Sequence, residues 1–151
     1  MYSYVVTSQK PTAVKHAVVC SFTGPTDKNL ILGRGTNLEI RTWQGENLVS
    51  ELEVSLCGKI ASIVSYRPHG AITDVLFILT EHKHFCVLAF DPVGRKVITK
   101  ATGNSRDRVG RDLDAGMRTI VDPESRYICM LIYEGLLKVT KSSLNVITLF
   151  I

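Results

Sequence analysis

Residues 29–54 read "NLILGRGTNLEIRTWQGENLVSELEV", and their pattern of apolar residues indicates the fold class. Apolar and polar residues alternate at a period of two along 38–43 and again along 48–54, as expected for strands with one buried face. Glycine and polar residues at 33–35 and 44–47 separate the runs, which predicts tight turns. The stretch therefore predicts an antiparallel meander of three strands.

The same order of segments recurs twice further along the chain. Residues 74–101 ("DVLFILTEHKHFCVLAFDPVGRKVITKA") and 126–150 ("RYICMLIYEGLLKVTKSSLNVITLF") each place an apolar run before a polar turn and mixed strands. The apolar run of each repeat is expected deep inside the fold, with the later strands nearer the surface. Repeats of roughly 40 to 50 residues built from short strands are typical of β-propeller blades. A β-sandwich of about ten strands is the alternative all-β interpretation.

The sequence thus predicts an all-β chain that forms a partial β-propeller of about three blades. The repeats are expected near 28–70, 74–102 and 118–151, within one domain spanning 1–151, and residues 59–68 are expected to complete the second blade. A closed ring needs about four to eight blades, so three would leave sheet faces uncovered. We therefore expect an incomplete propeller, either a fragment or a truncated product.

Composition is that of a globular protein with mild positive charge. The 151 residues carry a formal net charge of +4, with 45% hydrophobic and 21% charged residues. This charge is too small to favour nucleic acid as a partner by itself. The apolar runs, such as 75–79, are much shorter than the roughly 20 residues of a membrane span. No secretory signal is recognisable in the first residues.

The four cysteines are Cys20, Cys57, Cys86 and Cys129. They are far apart in sequence and lie in or beside apolar segments, which fits neither a CxxC zinc site nor a compact disulfide framework. The pattern predicts buried, reduced thiols in a cytosolic or nuclear protein.

Two short motifs have a partial likeness to ligand sites. Gly33-Arg34-Gly35 has GxG spacing, but a strand follows it, so no helix N-terminus would receive a pyrophosphate and a hairpin turn is predicted. His82 and His84 would share one strand face, yet no further metal ligand is fixed near them, and a polar turn is predicted. The sequence predicts no catalytic residue, no cofactor and no metal site.

The longest polar connection is "GNSRDRVGRDLDAG" at 103–116, between the second and third repeats. An acid–base pair is conceivable among the nearby carboxylates, which are Asp107, Asp112, Asp114 and Asp122. The simpler interpretation is a solvated loop in which aspartates balance arginines. Its local charge is then near zero, which does not suit binding to a DNA backbone. Arginine can bind carboxylates bidentately, so Arg106, Arg108 and Arg111 are expected at a protein interface.

Six separated blocks carry a resemblance to a known family. They are "YVVTSQKPTAV" (4–14), "GKIASIVSYRPHG" (58–70), "DVLFILT" (74–80), "GNSRDRVGR" (103–111), "IVDPESRYI" (120–128) and "YEGLLKV" (133–139). In this order they resemble the N-terminal part of the large subunit of the UV-damaged-DNA-binding protein, an adaptor of cullin–RING ubiquitin ligases. The same family includes large cleavage-and-polyadenylation and splicing subunits.

The resemblance implies a non-catalytic scaffold with a seven-bladed first propeller. In that family the second propeller docks the cullin, and the first and third hold interchangeable substrate receptors. Damaged DNA is contacted mainly through a smaller partner subunit. The implied partners are therefore receptors and the cullin, with no membrane and no small-molecule substrate, and the implied location is the nucleus and cytoplasm. A scaffold of RNA 3′-end processing or splicing is the alternative function, and a small enzyme or ligand-binding β-domain is a third.

Overall fold

The computed structural model describes residues 3–4, 6, 8–107 and 110–143, and the backbone of 147–150. Within these residues all regular structure is β-strand, and there is no helix long and apolar enough to cross a membrane. The strand bounds are β1 His16–Cys20, β2 Asn29–Arg34, β3 Asn37–Gln44, β4 Asn47–Ser55, β5 Ile60–Tyr66, β6 Val75–Thr80, β7 His84–Asp91, β8 Lys96–Asn104, β9 Arg118–Val121, β10 Tyr127–Tyr133, β11 Leu136–Ser142 and β12 Ile147–Phe150.

The strands form three sheets of four, each an antiparallel meander in chain order. Among the first strands of the sheets, β5 contacts both β1 and β9. A hydroxyl–hydroxyl hydrogen bond of 2.5 Å joins Ser62 of β5 to Thr119 of β9. Sheets that meet at their first strands are the blades of a propeller. We call them blade 1 (16–55), blade 2 (60–104) and blade 3 (118–150).

Blade 1 confirms the meander predicted from residues 29–54. Gly35 and Gly45 occupy the turns on either side of β3 with φ of 59° and 62°. Positive φ is readily adopted by glycine, so these residues allow the two tight reversals. The Gly33-Arg34-Gly35 segment is therefore a hairpin turn, as predicted.

The apolar run in the second repeat is the most buried strand described. All six residues of β6 are buried, from Val75 to Thr80. Leu76 and Ile78 face blade 1, whereas Phe77 and Leu79 face blade 3. Because both faces of blade 2 are covered, β6 reads as a continuous apolar run instead of an alternating one. This confirms the predicted place of the run in the interior.

Blades 1 and 2 share one hydrophobic core. Its buried members include Phe22, Ile31 and Ile40 from blade 1 and Leu76 and Ile78 from blade 2. Full burial of such a side chain stabilises the fold by about 1.5–3 kcal/mol. Polar contacts join the same blades at one end.

Asp74 is the centre of those polar contacts. Its carboxylate accepts hydrogen bonds of 2.8 Å from the backbone N–H of Ser21 and 2.7 Å from Nε of Arg67. Its own N–H donates to the carbonyl oxygen of Ser21 at 2.8 Å. Burial, and then the nearby charge of Asp74, raise the pKa of the Cys20 thiol to about 12.

A second core lies between blades 2 and 3. It contains Phe77, Leu79 and Phe85 from blade 2 and Ile128 and Met130 from blade 3, among others. The rings of Phe77 and Phe85 stack with centroids 5.3 Å apart. The two cores lie on opposite faces of blade 2, so blade 2 is the middle layer of the described structure.

The blade boundaries differ from the predicted repeats near 28–70, 74–102 and 118–151. Blade 1 begins at β1, because His16 to Cys20 pair with β2. Residues 60–66 belong to blade 2, since they pair with β6 instead of continuing blade 1. Residues 60–66 are therefore the first strand of blade 2, and blade 1 begins before residue 28.

Candidate protein-interaction loop

The β8–β9 loop (105–117) leaves blade 2 at a fully buried serine. The backbone N–H of Ser105 donates to the carbonyl oxygen of Lys83 at 2.7 Å. Its hydroxyl lies 3.6 Å from Sδ of Met130. Lys83 is in the β6–β7 turn of blade 2 and Met130 is in blade 3, so the first residue of the loop is fixed to both blades.

Lys138 of β11 holds the next part of the loop. Its Nζ donates to the carbonyl oxygens of Ser105 at 2.8 Å and Arg106 at 3.5 Å. The same nitrogen lies 3.3 Å from Oδ2 of Asp107, and the Lys138 side chain is only 6% exposed. A buried ammonium needs a countercharge and acceptors of this kind, because an unpaired buried charge is strongly destabilising.

Tyr133 of β10 is the buried ring around which the loop packs. Its hydroxyl oxygen accepts a hydrogen bond of 2.8 Å from the backbone N–H of Asp107. The ammonium nitrogens of Lys83 and Lys138 lie 5.0 Å and 5.8 Å from the ring centroid. Both distances allow cation–π attraction. One ring thus contacts a lysine from each of two blades.

The second half of the loop is fixed to the same ring and strand. Nζ of Lys83 lies 2.6 Å from Oδ1 of Asp112, and Asp112 forms an antiparallel bridge with Tyr133. Gly110 approaches the ring so closely that a Cβ there would lie 2.2 Å from it. Only glycine fits at that distance. We call Lys83, Lys138, Tyr133 and Gly110 the loop clamp.

Two of the three predicted interface arginines lie on the described part of this loop, and Arg108 lies outside the described residues. Arg106 is exposed, and its backbone N–H donates to Oδ1 of Asn104 at 2.9 Å. The Arg111 side chain is 75% exposed, with Nε 3.4 Å from Glu134 and Nη2 4.0 Å from Asp114. The loop clamp therefore holds a backbone that presents Arg106 and Arg111 to solvent.

Two aspartates of the described part of the loop pair with lysines of other elements. Asp107 pairs with Lys138 and Asp112 with Lys83, so their countercharges come from other elements. Of the pairs described, only Arg111 with Asp114 joins two residues of the loop itself. The physical reason is burial, because the lysines near the Tyr133 ring need countercharges more than exposed arginines do.

Asp122, the fourth candidate carboxylate, lies apart from the loop in the β9–β10 turn. It accepts a hydrogen bond of 2.8 Å from Nε of Arg126, and this bond, together with the Arg126 charge, lowers its pKa. The four aspartates thus do not form one group. Their engagement in ion pairs makes the site an arrangement for holding a loop, and the exposed guanidinium groups can bind carboxylates.

The histidine motif forms the predicted polar turn between β6 and β7. Lys83, between His82 and His84, has a φ of 63°. Across the described part of the chain, no group of three or more His, Cys, Asp or Glu residues is arranged to hold a metal ion.

The cysteines are all free, but they are not all buried. Cys20 is buried, Cys86 and Cys129 are intermediate, and Cys57 is exposed. The prediction of burial was wrong for Cys57, because it lies in the connection between β4 and β5 and not inside a strand.

The loop clamp was not predicted from the sequence. Lys138 and Tyr133 lie 33 and 26 residues from the loop residues they contact. Alternation along β11 groups Lys138 with Thr140 and Ser142, so the sequence pattern indicates an exposed lysine and gave no signal of the clamp. Val139 on one side is partly exposed, whereas Lys138 is buried.

Comparison with known proteins connects this geometry to a family. The chain is 45% identical over 139 residues to DNA damage-binding protein 1 of Solanum lycopersicum. It is 44% and 43% identical to DNA damage-binding proteins 1a and 1b of Arabidopsis thaliana. These alignments cover 91–92% of this chain and 13% of each relative, so the chain spans a small part of the relatives' length.

Residues 13–144 match the family described as RSE1/DDB1/CPSF1 first beta-propeller. The match includes blades 1 and 2, strands β9 to β11 of blade 3 and the whole β8–β9 loop with the loop clamp, and it ends before β12. The predicted resemblance is confirmed. The three meanders therefore form part of a propeller, and the chain belongs to the RSE1/DDB1/CPSF1 first beta-propeller family.

Proposed function

We propose that this chain is part of a non-catalytic scaffold of a cullin–RING ubiquitin ligase. In that role it helps to link substrate receptors to the cullin in DNA-damage recognition and protein ubiquitination. The observation that carries the proposal is the 45% identity to DNA damage-binding protein 1 over 92% of the chain. The uncovered faces of the two outer blades support a place within a larger propeller.

The uncovered face of blade 3 is apolar. Ile120 and Leu137 are 65% and 53% exposed, and Leu131 and Tyr127 are 36% and 41% exposed. Leu131 pairs with Leu137 across β10 and β11, and Ile120 pairs with Cys129 across β9 and β10. Tyr127, Cys129 and Leu131 are two residues apart along β10, so they lie on one face of the strand. A contiguous apolar face of this kind is suited to packing against a further blade.

The uncovered face of blade 1 combines apolar and charged groups. Val19 and Trp43 are 68% and 58% exposed. Beside them, Glu39 lies 2.7 Å from both Nη2 of Arg34 and Nε of Arg41. Burial alone would raise the pKa of Glu39, but hydrogen bonds from Arg41 and Ser50 and the charges of the arginines lower it overall. The ion cluster is ordered already, so a neighbouring blade can cover it without unpairing a charge.

The proposed role involves no catalysis by this chain. Asp107 and Asp112 of the β8–β9 loop are two of the carboxylates for which an acid–base pair was considered. Each is held against a lysine that also contacts the Tyr133 ring. We assign Arg106, Arg108 and Arg111 to contacts with acidic side chains of a receptor, with DNA contacted mainly through a smaller partner. The proposed location is the nucleus and cytoplasm.

A second candidate is a scaffold of RNA 3′-end processing or splicing that binds nucleic acid. It is favoured by the family description, which covers RSE1 and CPSF1 as well as DDB1. The relatives named above are DNA damage-binding proteins, which is why the ligase role is preferred.

Affinity purification from the cells that make this protein distinguishes the two roles. Tagged in those cells and expressed at its natural level, the protein that contains this chain is expected to recover a cullin and ubiquitin-ligase receptors, as judged by mass spectrometry. Recovery of polyadenylation or splicing subunits in their place would support the second candidate and contradict the first. A catalytic turnover by the purified chain would contradict both.

A further inference from the structure

A pocket of about 670 Å³ lies between the outer strands of blades 1 and 2. One wall is the end of β4 and the residues after it, including Val54, Leu56 and Cys57. The other wall is formed by β7 and β8, including Leu88 and Val97. The volume lies within the roughly 300–1,000 Å³ range of small-molecule sites.

The two walls of this pocket belong to blades 1 and 2, which pack against each other within this chain. The walls are held at a fixed separation by the core between the blades. A Cβ at Gly58 would lie 3.1 Å from Cγ2 of Thr80, so the connection after β4 packs closely on blade 2. Nη2 of Arg95 lies 3.1 Å from Oε1 of Glu51 and joins the β7–β8 turn to β4. The pocket therefore differs from the groove at Val19 and Trp43, which lies on the uncovered face of blade 1.

The chemistry of the pocket selects for a neutral ligand. None of its lining residues is an aspartate, glutamate, lysine or arginine, and His84 is the one imidazole in the lining. The apolar residues form most of the wall, and Thr99, Thr102 and Asn104 supply hydrogen-bonding groups from β8. A cation would lose its hydration there without gaining a countercharge, and an anion would meet only the exposed imidazole of His84, whereas an apolar ligand would gain from burial.

Two free thiols, Cys57 and Cys86, line this pocket, and they differ in their exposure to solvent. Burial, followed by the proximity of Cys57, raises the pKa of Cys86 to about 11, so Cys86 is a thiol near neutral pH. Cys57 is exposed and lines the pocket from the other wall. A soft electrophile seated against the apolar wall would therefore meet the Cys57 sulfur from an accessible side.

We propose that this pocket binds a neutral, mainly apolar small molecule and that Cys57 captures ligands carrying an α,β-unsaturated carbonyl. The Cys57 thiol releases its proton to water, and the thiolate adds to the carbon β to the carbonyl. A carbon–sulfur bond forms, the carbon–carbon π bond breaks, and a proton from water adds to the α carbon. The ligand modifies the protein and is not a substrate that turns over.

N-phenylmaleimide and N-methylmaleimide test the proposal, because they share the reactive alkene and differ in apolar size. The four cysteines lie in separate tryptic peptides, 16–28, 42–59, 84–95 and 127–138. Mass spectrometry therefore gives the alkylation rate of each thiol in the whole chain. At Cys57, the ratio of phenyl to methyl rates is expected to be about tenfold higher in the folded chain than in urea, because the phenyl group is buried in the pocket.

Two tryptophan variants locate the effect. Thr99→Trp places a bulky side chain at an exposed position of β8 that lines the pocket, and it is expected to reduce the rate ratio to the value in urea. Lys96→Trp, at an exposed position of the same strand outside the lining, is the matched control and is expected to keep the high ratio. Slow alkylation of the buried Cys20 shows that each variant is folded. Equal ratios in the folded chain and in urea, or a high ratio in folded Thr99→Trp, would overturn the proposal.

Discussion

Nζ of Lys138 lies 2.8 Å from the carbonyl oxygen of Ser105, and this contact joins the third strand of blade 3 to the loop that leaves blade 2. The same ammonium faces Asp107 and the Tyr133 ring. The buried ammonium therefore donates its hydrogen bonds to backbone carbonyl oxygens of the loop and not to water. The loop that carries the candidate interface is therefore held by the packing of two blades against each other.

The uncovered faces of blades 1 and 3 predict that the isolated chain associates with itself. Trp43→Lys combined with Ile120→Lys places one charge on each face and is expected to give a soluble monomer, measured by light scattering. Val93→Lys with Ile72→Lys is the matched control, because these side chains are 94% and 72% exposed but lie in turns. Equal association of both double variants would show that the uncovered faces are not responsible.

Replacing Lys138 by methionine is expected to release the β8–β9 loop. The change removes an ammonium that donates to two carbonyl oxygens and pairs with Asp107, so we expect a loss of about 3 kcal/mol in unfolding free energy. Urea unfolding of the soluble double-lysine variant measures it. Trypsin should also cut faster after Arg106 and Arg111. Lys141→Met, an exposed lysine of the same strand, is the control, and an equal effect of both changes would contradict the role of Lys138.

Gly110→Ala tests the close approach of the loop to Tyr133. Its Cβ would lie 2.2 Å from the ring, so the ring or the loop must move, and we expect a loss of about 3 kcal/mol. Gly116→Ala is the control, since a Cβ there meets nothing within 4 Å and only the φ of 80° is strained; about 1 kcal/mol is expected. Combining Gly110→Ala with Tyr133→Leu should cost less than the sum of the two. Additive losses would argue against contact with the ring.

Alkaline pH is expected to destabilise the fold through buried groups. Burial raises the pKa of Tyr66 from 10.0 to about 12, and the Cys20 pKa rises from 9.0 to about 12. The folded state therefore keeps these protons more tightly than the unfolded state. Their stabilisation is complete below pH 9 and is lost as pH rises to about 12.

Tyr66→Phe isolates one of these contributions. It should flatten the fall of unfolding free energy above pH 10, where each such group contributes up to about 1.4 kcal/mol per pH unit. Tyr127→Phe, at a tyrosine that is 41% exposed, controls for removal of a hydroxyl. A wild-type slope in Tyr66→Phe would contradict the assignment to Tyr66.

The sequence pattern predicted the strands well because alternation and turn glycines, which determine strands and turns, are properties of neighbouring residues. Alternation along 38–43 and the glycines at 35 and 45 correspond to β3 and its two turns. The apolar run of β6 predicted burial on both faces. The start of blade 1 was missed, because β1 is only five residues long and pairs with β2 across a long connection.

The candidate site was predicted only in its location on the 103–116 segment. Its holding residues could not be predicted, since Lys83 and Lys138 meet at the Tyr133 ring only after two blades have packed together. The pairing of Asp107 and Asp112 with these lysines follows from the same packing. No spacing rule within one strand or loop contains that information.

We propose above that the clamped β8–β9 loop presents arginines to an acidic receptor surface. The direct test is receptor recovery by affinity purification when Arg106, Arg108 and Arg111 are all changed to glutamate. The control reverses three exposed lysines outside the loop, Lys28, Lys96 and Lys100. We predict that the loop variant loses at least about tenfold in receptor recovery, equivalent to about 1.4 kcal/mol, while the control keeps it and both variants stay folded. Unchanged receptor recovery by the folded loop variant would contradict the claim.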